Sequence, residues 1–197
     1  MAFIEPVTLT GSHATLEPLA RMHEDELRRA AADGELWRLW YTSVPKPDRT
    51  SAYVDAALAM RERDGAMPFV VRANPGGEAV GCTRYFHVDE PNRRLEIGYT
   101  WYAKRVQRTA LNTECKLMLL RHAFETLKCI AVEFRTHWLN HASREAILRL
   151  GAKQDGVLRN HQISPDGSYR DTVVFSIIES EWPAVKQHLS HMLERPR

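Results

Sequence analysis

Residues 105–116 read RVQRTALNTECK and stand between a strand-like run, LEIGYTW (residues 95–101), and an apolar helical pattern, TECKLMLLRHAFETLK (residues 113–128). The first run predicts a strand that ends at Trp101 or Tyr102, and the leucine spacing predicts a helix that begins near residue 113. A strand, a short loop and a helix in this order aim free backbone N–H groups and the positive helix terminus above the loop. The stretch therefore favours a bound anion, especially a phosphate.

The donors in this loop have a second explanation, which is a capped helix with solvated basic neighbours. Lys104, Arg105 and Arg108 supply positive charge, while Thr109 and Asn112 supply side-chain donors. The loop lacks the G-x-x-x-x-G-K-[ST] phosphate-binding pattern and the G-x-G-x-x-G dinucleotide pattern. Any phosphate must therefore be held by another design.

A second strand-to-helix transition follows in THWLNHASREAILRLGA, residues 136–152, where a strand end passes through Asn140 and Ser143 into a helix closed by Gly151. Taken alone, an ordinary N-cap explains either polar residue. Two such transitions close together favour a binding site more strongly than either transition does alone.

The rest of the chain divides into helical and strand-like segments. We predict a short strand at residues 7–9, helices at 18–33 and 51–63, a three-strand antiparallel meander at 68–73, 78–88 and 93–101, and a strand at 131–136. A helix at 143–150, a hairpin of 157–164 and 168–178 around Pro165-Asp166-Gly167, and an amphipathic segment at 180–193 complete the order. Two helices thus precede the meander, and the second half alternates helix with strand.

Composition limits the class of protein. With 197 residues, 44% hydrophobic and 26% charged, the chain fits one folded domain over residues 1–197. A formal net charge of +2 is too mild for a nucleic-acid binder, which usually shows a basic stripe. No run approaches the ~18 apolar residues of a membrane helix, and the N-terminus lacks a signal-peptide pattern. We expect a cytoplasmic protein without nucleic-acid or membrane partners.

The element order and three local matches resemble the GCN5-related N-acetyltransferases, and more narrowly their ribosomal-protein N-terminal acetyltransferase-like (RimJ/RimL-type) branch. The matches are LEIGYTW, the TxxxNxxS pattern at Thr136, Asn140 and Ser143 followed by AILRLGA, and the ending DGSYRDTVVFSI, residues 166–177. The resemblance covers nearly the whole chain. It implies an α/β acyl-CoA N-acyltransferase fold with a central mixed, mostly antiparallel sheet flanked by helices.

The resemblance also implies a cofactor loop, which in the family reads approximately [Q/R]-x-x-G-x-[G/A] and holds the coenzyme A pyrophosphate with backbone amides. Gln107 matches the first position, but Ala110 stands at the first glycine and Asn112 at the second small residue. We therefore predict a variant cradle in which side chains supplement the amides. The cofactor-binding residues so implied are Trp101, Tyr102, Gln107, Arg108, Thr109, Ala110, Leu111, Asn112, Thr113, Asn140 and Ser143.

The implied chemistry is direct attack of a primary amine on the thioester of acetyl-CoA, or of a longer acyl-CoA, without metal or acyl-enzyme. A backbone N–H near Tyr99 to Trp101 would polarise the carbonyl, and the Ser143 hydroxyl would protonate the thiolate. Glu96 is the expected general base, since an α-amine with a pKa of about 8 needs little help. The other explanation for Glu96 is a carboxylate on the solvent face of a strand, paired with Arg84.

The acceptor is expected near the segment ELWRLWYTSVP, residues 35–45, where aromatic residues either belong to the core or wall the acceptor pocket. The predicted substrate-binding residues are Trp37, Tyr41, Arg84 and Glu96, with Trp40 in the same segment. The RimJ/RimL-type branch implies a protein N-terminal α-amine as the acceptor. A small amine, an amino acid or an antibiotic is also open as the acceptor. A non-catalytic acyl-CoA-binding or regulatory module is the alternative function, because the glycine positions are altered.

The cysteines and histidines favour neither a disulfide framework nor a metal site. Cys82, Cys115 and Cys129 are an odd number without C-x-x-C spacing, and they are expected to be small core residues. Cys115, near a helix N-terminus, is the one candidate for a lowered pKa. His137 and His141 are four residues apart, but no H-E-x-x-H pattern or cysteine pair accompanies them, so no metal is predicted. The final hairpin and terminal helix offer edges and apolar faces for a homodimer.

Overall fold

Eight strands form one sheet in the computed structural model of the chain, which describes residues 3–42, 44–164 and 166–195. The strands are β1 (Leu9–Thr10), β2 (Ala14–Pro18), β3 (Met67–Ala73), β4 (Glu78–Asp89), β5 (Arg94–Tyr102), β6 (Ala131–His137), β7 (Lys153–Ile163) and β8 (Tyr169–Ile178). The α-helices are α1 (Glu24–Ala32), α2 (Thr50–Asp64), α3 (Ala110–Arg121), α4 (His141–Arg149) and α5 (Trp182–Glu194). The strand order is β1-β2-β3-β4-β5-β6-β8-β7.

The sheet is antiparallel except between β5 and β6. These two strands pair in parallel over only three residues each, 94–96 with 131–133. Beyond that point no pairing joins them within the described chain, and a cleft opens between the two strands. The predicted α/β fold with a mixed, mostly antiparallel sheet is confirmed.

Helices cover both faces of this sheet. The Tyr85 hydroxyl of β4 donates to the Leu119 carbonyl of α3 at 2.6 Å, whereas the neighbouring Arg84 lies over the Tyr53 ring of α2. Because successive strand residues point to opposite faces, α3 and α2 lie on opposite sides of the sheet. Helix α5 packs outside α3, with the Trp182 ring stacked on Phe124.

Helix α3 is buried on almost every side, since all residues from 113 to 120 are buried. It begins at Ala110, three residues earlier than predicted, because the Thr109 side chain accepts the Leu111 N–H as an N-cap. A single π-helical turn, His122–Thr126, follows its last α-helical residue. The predicted long helix is thus confirmed with shifted ends.

The N-terminal prediction was wrong in one respect. Residues 18–33 do not form one helix, because Pro18 is the last residue of β2 and α1 begins only at Glu24. Strand β2 was missed because its five residues are too few to show a clear alternation of apolar and polar side chains. Its pairing with β3 also joins segments about fifty residues apart in the sequence.

The other boundaries lie close to their predictions. Gly65 and Gly151 end α2 and α4 in the left-handed conformation, at φ 65° and 95°. The final hairpin is present as β7 and β8, although β7 begins four residues before its prediction. Pro165, in the predicted turn, lies outside the described residues. Within the described ranges, no helix is long and apolar enough to cross a membrane.

Candidate active site

The cleft between β5 and β6 has a volume of about 690 Å³. Residues 97–102 of β5 form one wall and residues 134–137 of β6 form the other. The first two turns of α3 and the start of α4 line one side, and Leu36 and residues 39–42, between α1 and α2, line another. Both predicted strand-to-helix transitions therefore meet at the same cleft.

Strand β5 carries an irregularity where it faces the cleft. Its pairing with β4 shifts between the pairs Cys82–Trp101 and Arg84–Gly98, and Tyr99 adopts φ 49°. Such a bulge leaves one residue outside the ladder of hydrogen bonds and turns backbone groups away from the neighbouring strand. The backbone near Tyr99 is thus the part of β5 best placed to offer an N–H to a ligand.

The loop before α3 uses much of its hydrogen-bonding capacity internally. The Thr109 hydroxyl donates to the Val106 carbonyl at 2.7 Å and caps the helix, and the Gln107 amide donates to the Tyr102 carbonyl at 2.9 Å. The left-handed conformation that favours glycine occurs at Arg108, with φ 60°, whereas Ala110 and Asn112 lie within the helix. Neither of these two positions therefore needs the conformational freedom of glycine.

Two polar side chains of α3 face the cleft one helical turn apart. The Asn112 Oδ1 atom is buried and accepts no hydrogen bond within the described chain. The Lys116 ammonium is buried and donates to Thr100 Oγ1 at 2.8 Å and to Thr83 Oγ1 at 3.4 Å. Burial without an anionic partner lowers the pKa of Lys116 to about 8.

The start of α4 presents Asn140 and Ser143 to the same cleft. The Asn140 side chain caps the helix by accepting the Ser143 N–H at 3.1 Å. The Ser143 side chain is half-buried at the cleft wall, and the capping bond engages its backbone and not its hydroxyl. Capping thus fixes the helix terminus, while the hydroxyl is left for a ligand.

An aromatic wall closes the opposite side. The rings of Trp40 and Tyr41 lie 4.9 Å and 6.2 Å from that of His137, centroid to centroid. His137 Nδ1 accepts the Leu139 N–H at 3.0 Å, so the neutral ring carries its proton on Nε2. Burial lowers the pKa of His137, and Nε2 has no partner within the described chain. His137 is therefore a hydrogen-bond donor at this wall and not a base.

Glu96 does not line the cleft. It lies in a neighbouring cavity of about 490 Å³, where its carboxylate bonds His87 Nδ1 at 2.9 Å and pairs with Arg135 Nε at 3.3 Å. Burial raises the pKa of Glu96, and the His87 and Arg135 contacts oppose that shift. Arg135, which pairs with this carboxylate, lines both cavities.

The sequence profile of the Acetyltransferase (GNAT) domain matches residues 13–153, more than half of the chain. The chain belongs to this family. An acetyltransferase structure from T. thermophilus is similar at 32% identity and TM-score 0.84, covering 96% of this chain and 98% of that one. A GCN5-related N-acetyltransferase from Brucella melitensis is similar at 28% identity and TM-score 0.87, covering 96% and 86%.

A third structure, Mycobacterium smegmatis RimJ in complex with CoA-disulfide, shares the fold at 22% identity and TM-score 0.75, covering 95% of this chain and 93% of that one. No curated protein matches the chain. The predicted resemblance to the GNAT superfamily is confirmed, and the chain is an N-acetyltransferase.

In this GNAT acetyltransferase, the predicted cofactor-binding residues separate into two groups. Those that line the cleft are Trp101, Tyr102, Gln107, Asn112, Asn140 and Ser143. Those that form the loop and first helical turn without lining the cleft are Arg108, Thr109, Ala110, Leu111 and Thr113. The second group shapes the backbone, and Leu111 and Thr113 are buried.

Two expectations about the acceptor residues of the acetyltransferase need correction. Tyr41 lines the cleft, but Trp40 does so in place of Trp37. Arg84 is buried over the Tyr99 ring, 4.0 Å from its centroid, and does not line the cleft. It is not the partner of Glu96 either, and Glu96 is not on a solvent face, because only 3% of that residue is exposed.

Sequence reasoning missed several residues of the cleft. Lys116 stands four residues after Asn112, a spacing that puts both on one helix face, so this signal was available. Arg170 of β8 comes next to Arg135 and His137 of β6 only through the pairing of these two strands, which no local pattern reveals.

The cysteines are buried core residues, as predicted. Cys115, the one candidate for a lowered pKa, does not have one, because burial raises that pKa to about 12. The described ranges hold no group of three or more histidine, cysteine, aspartate or glutamate residues that could bind a metal.

Proposed function

We propose that this acetyltransferase binds acetyl-CoA in the cleft between β5 and β6 and transfers the acetyl group to a primary amine in a ternary complex. The observation that carries the proposal is the convergence of a β-strand bulge and two helix N-termini on one cleft of about 690 Å³. GNAT acetyltransferases use acetyl-CoA, and the RimJ neighbour was crystallised with a form of coenzyme A.

The residues at the α3 terminus fit a pyrophosphate. Free backbone N–H groups of the first turn and the helix dipole favour negative charge there. The Asn112 side-chain NH2 group can add a donor for the phosphates, while its buried Oδ1 atom, which has no donor within the described chain, can accept only from an N–H or O–H group of the ligand. This is the variant cradle, in which side chains supplement amides. The α4 terminus, with Asn140, would hold the pantetheine arm or its neighbouring backbone.

The chemical step is nucleophilic substitution at the thioester. The amine nitrogen forms a bond to the carbonyl carbon, the carbon–sulfur bond breaks, the thiolate takes a proton, and the amine loses one. A backbone N–H at the β5 bulge near Tyr99 polarises the carbonyl oxygen, and the Ser143 hydroxyl donates the proton to sulfur. The acetyl group passes directly from sulfur to nitrogen, so no acyl-enzyme is formed.

For Glu96 the proposed role as a general base requires a relay. Glu96 does not line the cleft and its carboxylate pairs with Arg135, so a proton would reach it through water. The raised pKa of Glu96 suits a base, and the water relay is the step that this role adds to the mechanism.

A turnover assay tests the function. Purified protein with acetyl-CoA and a panel of amines, including peptide N-termini, amino acids and aminoglycosides, is expected to release free thiol with at least one acceptor. If acetyl-CoA raises the melting temperature but no amine releases thiol, the alternative function holds, and the protein is a non-catalytic acyl-CoA-binding module. If acetyl-CoA does not stabilise the fold, the cradle assignment is wrong.

Ser143→Ala tests the acid. It is expected to lower kcat about tenfold or more while the Kd for acetyl-CoA changes less than threefold, because the hydroxyl acts on the leaving sulfur and not on the phosphates. Ser51→Ala, which removes the same hydroxyl from an exposed position on α2, is the matched control and should leave kcat within about twofold. An unchanged kcat in Ser143→Ala removes the hydroxyl from the mechanism.

A further inference from the structure

The charges on the cleft lining have one sign. Among the described residues that line it, the charged ones are Lys116, Arg135 and Arg170, and none is an aspartate or a glutamate. A primary amine is itself largely protonated at neutral pH, so a purely cationic lining is unfavourable for a simple amine. Lys116, on α3, faces the part of the cleft proposed for acetyl-CoA, whereas Arg170, on β8, belongs to no part of that proposed binding site, and its charge suits an anionic group on the acceptor.

Only part of this positive charge is neutralised by the protein. Arg135 pairs with Glu133 at 2.9 Å and with Glu96 at 3.3 Å. Arg170, in contrast, donates from Nε to Thr172 Oγ1 at 3.2 Å and forms no ion pair within the described ranges. The Glu96 carboxylate is near enough to act electrostatically on Arg170, but the terminal N–H groups of this half-buried guanidinium form no direct ion pair with it.

Arg170 lies on the acceptor side of the cleft. In the pairing of β6 with β8, His137 is opposite Thr172, so His137, Thr172 and Arg170 project from the same face. That face carries the aromatic wall, since Trp40 packs edge-on against the His137 ring. Arg170 is also close enough to Tyr99, at the β5 bulge, for the two groups to interact electrostatically.

A second donor belongs to a residue of the same cleft lining, His137. His137 Nε2 carries a proton, is buried, and has no partner in the described chain. A guanidinium beside an imidazole N–H is a good receptor for a planar carboxylate or for a phosphate, because several charge-assisted hydrogen bonds form at once.

We propose that the acceptor is a small primary amine that also carries a carboxylate or a phosphate, which Arg170 binds with His137 as a second donor. This inference rests on the proposed function and narrows its acceptor class. The cationic lining then has a second effect, because it disfavours a protonated amine and so favours the neutral nucleophile. That effect reduces the need for a carboxylate base, in agreement with the position of Glu96 outside the cleft.

The test compares matched amines by thiol release from acetyl-CoA, with kcat/KM expressed per neutral amine. β-Alanine is paired with β-alaninamide, and O-phosphoethanolamine with ethanolamine, which distinguishes a carboxylate from a phosphate. Putrescine serves as a dication. The anionic member of at least one pair is expected to react about 10- to 100-fold faster, and putrescine least well.

Variants locate the recognition. Arg170→Gln is expected to reduce that preference to threefold or less, while Arg170→Lys keeps part of it and acetyl-CoA still raises the melting temperature of both. Arg159→Gln removes the same charge from an exposed position on β7 and should leave the preference unchanged.

Two results overturn the inference alone. One is a wild-type enzyme that acetylates the neutral members equally well or better, and the other is an Arg170→Gln variant that keeps the preference. If no amine of any charge releases thiol, the proposed function itself fails, and the inference falls with it.

Discussion

At the scale of single residues, Lys116 is the most unusual side chain of the cleft. Its ammonium is buried against two threonine hydroxyls, which also bond each other at 2.8 Å. A buried cation without a carboxylate costs several kcal/mol, so folding stability depends on whether this group is charged.

Replacement of Lys116 by methionine should therefore change the pH dependence of stability. The folded pKa is about 8 and the ordinary value 10.5, so the unfolded chain binds more protons between these two pH values. The free energy of unfolding of the wild type then rises with pH across that window, by roughly 2–4 kcal/mol in full. Lys116→Met lacks this rise and is expected to be the more stable protein at pH 7.

Urea denaturation of both proteins from pH 7 to pH 10 measures the difference. The two stability curves should converge as the pH rises, because the wild type loses the cost of its buried charge. Lys46→Met, at an exposed lysine, is the control and should follow the wild type. Parallel curves for the wild type and Lys116→Met would contradict the assignment.

At the scale of elements, the position of α3 depends on one buried carboxylate. Glu114 accepts the backbone N–H groups of Ser12, His13 and Ala14 at 2.8, 2.6 and 2.9 Å. Gly11 leaves room for it, since a Cβ there would lie 2.4 Å from the Glu114 Cδ atom. The contact ties the cofactor-loop helix to the turn between β1 and β2.

Glu114→Ala should lower the free energy of unfolding by about 2–4 kcal/mol, because three backbone N–H groups lose their acceptor. One of these three hydrogen bonds is buried and the other two are partly buried. Glu114→Gln, which keeps one acceptor oxygen, should fall between that variant and the wild type. Urea denaturation at constant pH gives both values.

The exposed Glu145 of α4 provides the comparison, and Glu145→Ala should change stability by less than about 0.5 kcal/mol. If Glu114→Ala were as mild as this control, the carboxylate would not be the anchor of α3.

At the scale of the whole molecule, the cleft draws on both strands, two helix termini and the segment between α1 and α2. Acetyl-CoA bound there would link β5 and β6 beyond the three residue pairs over which their backbones are paired. At a concentration 100-fold above its Kd, a ligand of the folded state adds about 2.7 kcal/mol.

For a chain of this length, that gain corresponds to a rise in melting temperature of roughly 5 to 10 °C. Thermal denaturation with and without acetyl-CoA measures it, and hydrogen exchange should slow at the first turns of α3 and α4 together. Adenine nucleotides without the pantetheine arm are the matched ligand control and should slow exchange at α3 alone. Slower exchange at neither helix would place acetyl-CoA elsewhere.

The sequence alone determined the order of most elements and the two strand-to-helix transitions, because helix periodicity and side-chain caps depend on residues a few positions apart. Asn140 and Ser143 were found this way, and so was the proposed anion site before α3. Strand β2 escaped this reasoning, since its identity depends on pairing with β3 far along the chain.

Only the tertiary structure decided which side chains share the cleft. The separation of β5 from β6 opens it, and the register of β6 with β8 places Arg170 beside His137. Glu96 lies in the neighbouring cavity, where it pairs with Arg135. Burial raises the pKa of Cys115, the residue that the helix N-terminus had made a candidate for a lowered pKa, and burial also lowers the pKa of Lys116. These outcomes depend on desolvation and on contacts between distant segments, which no local pattern of residues encodes.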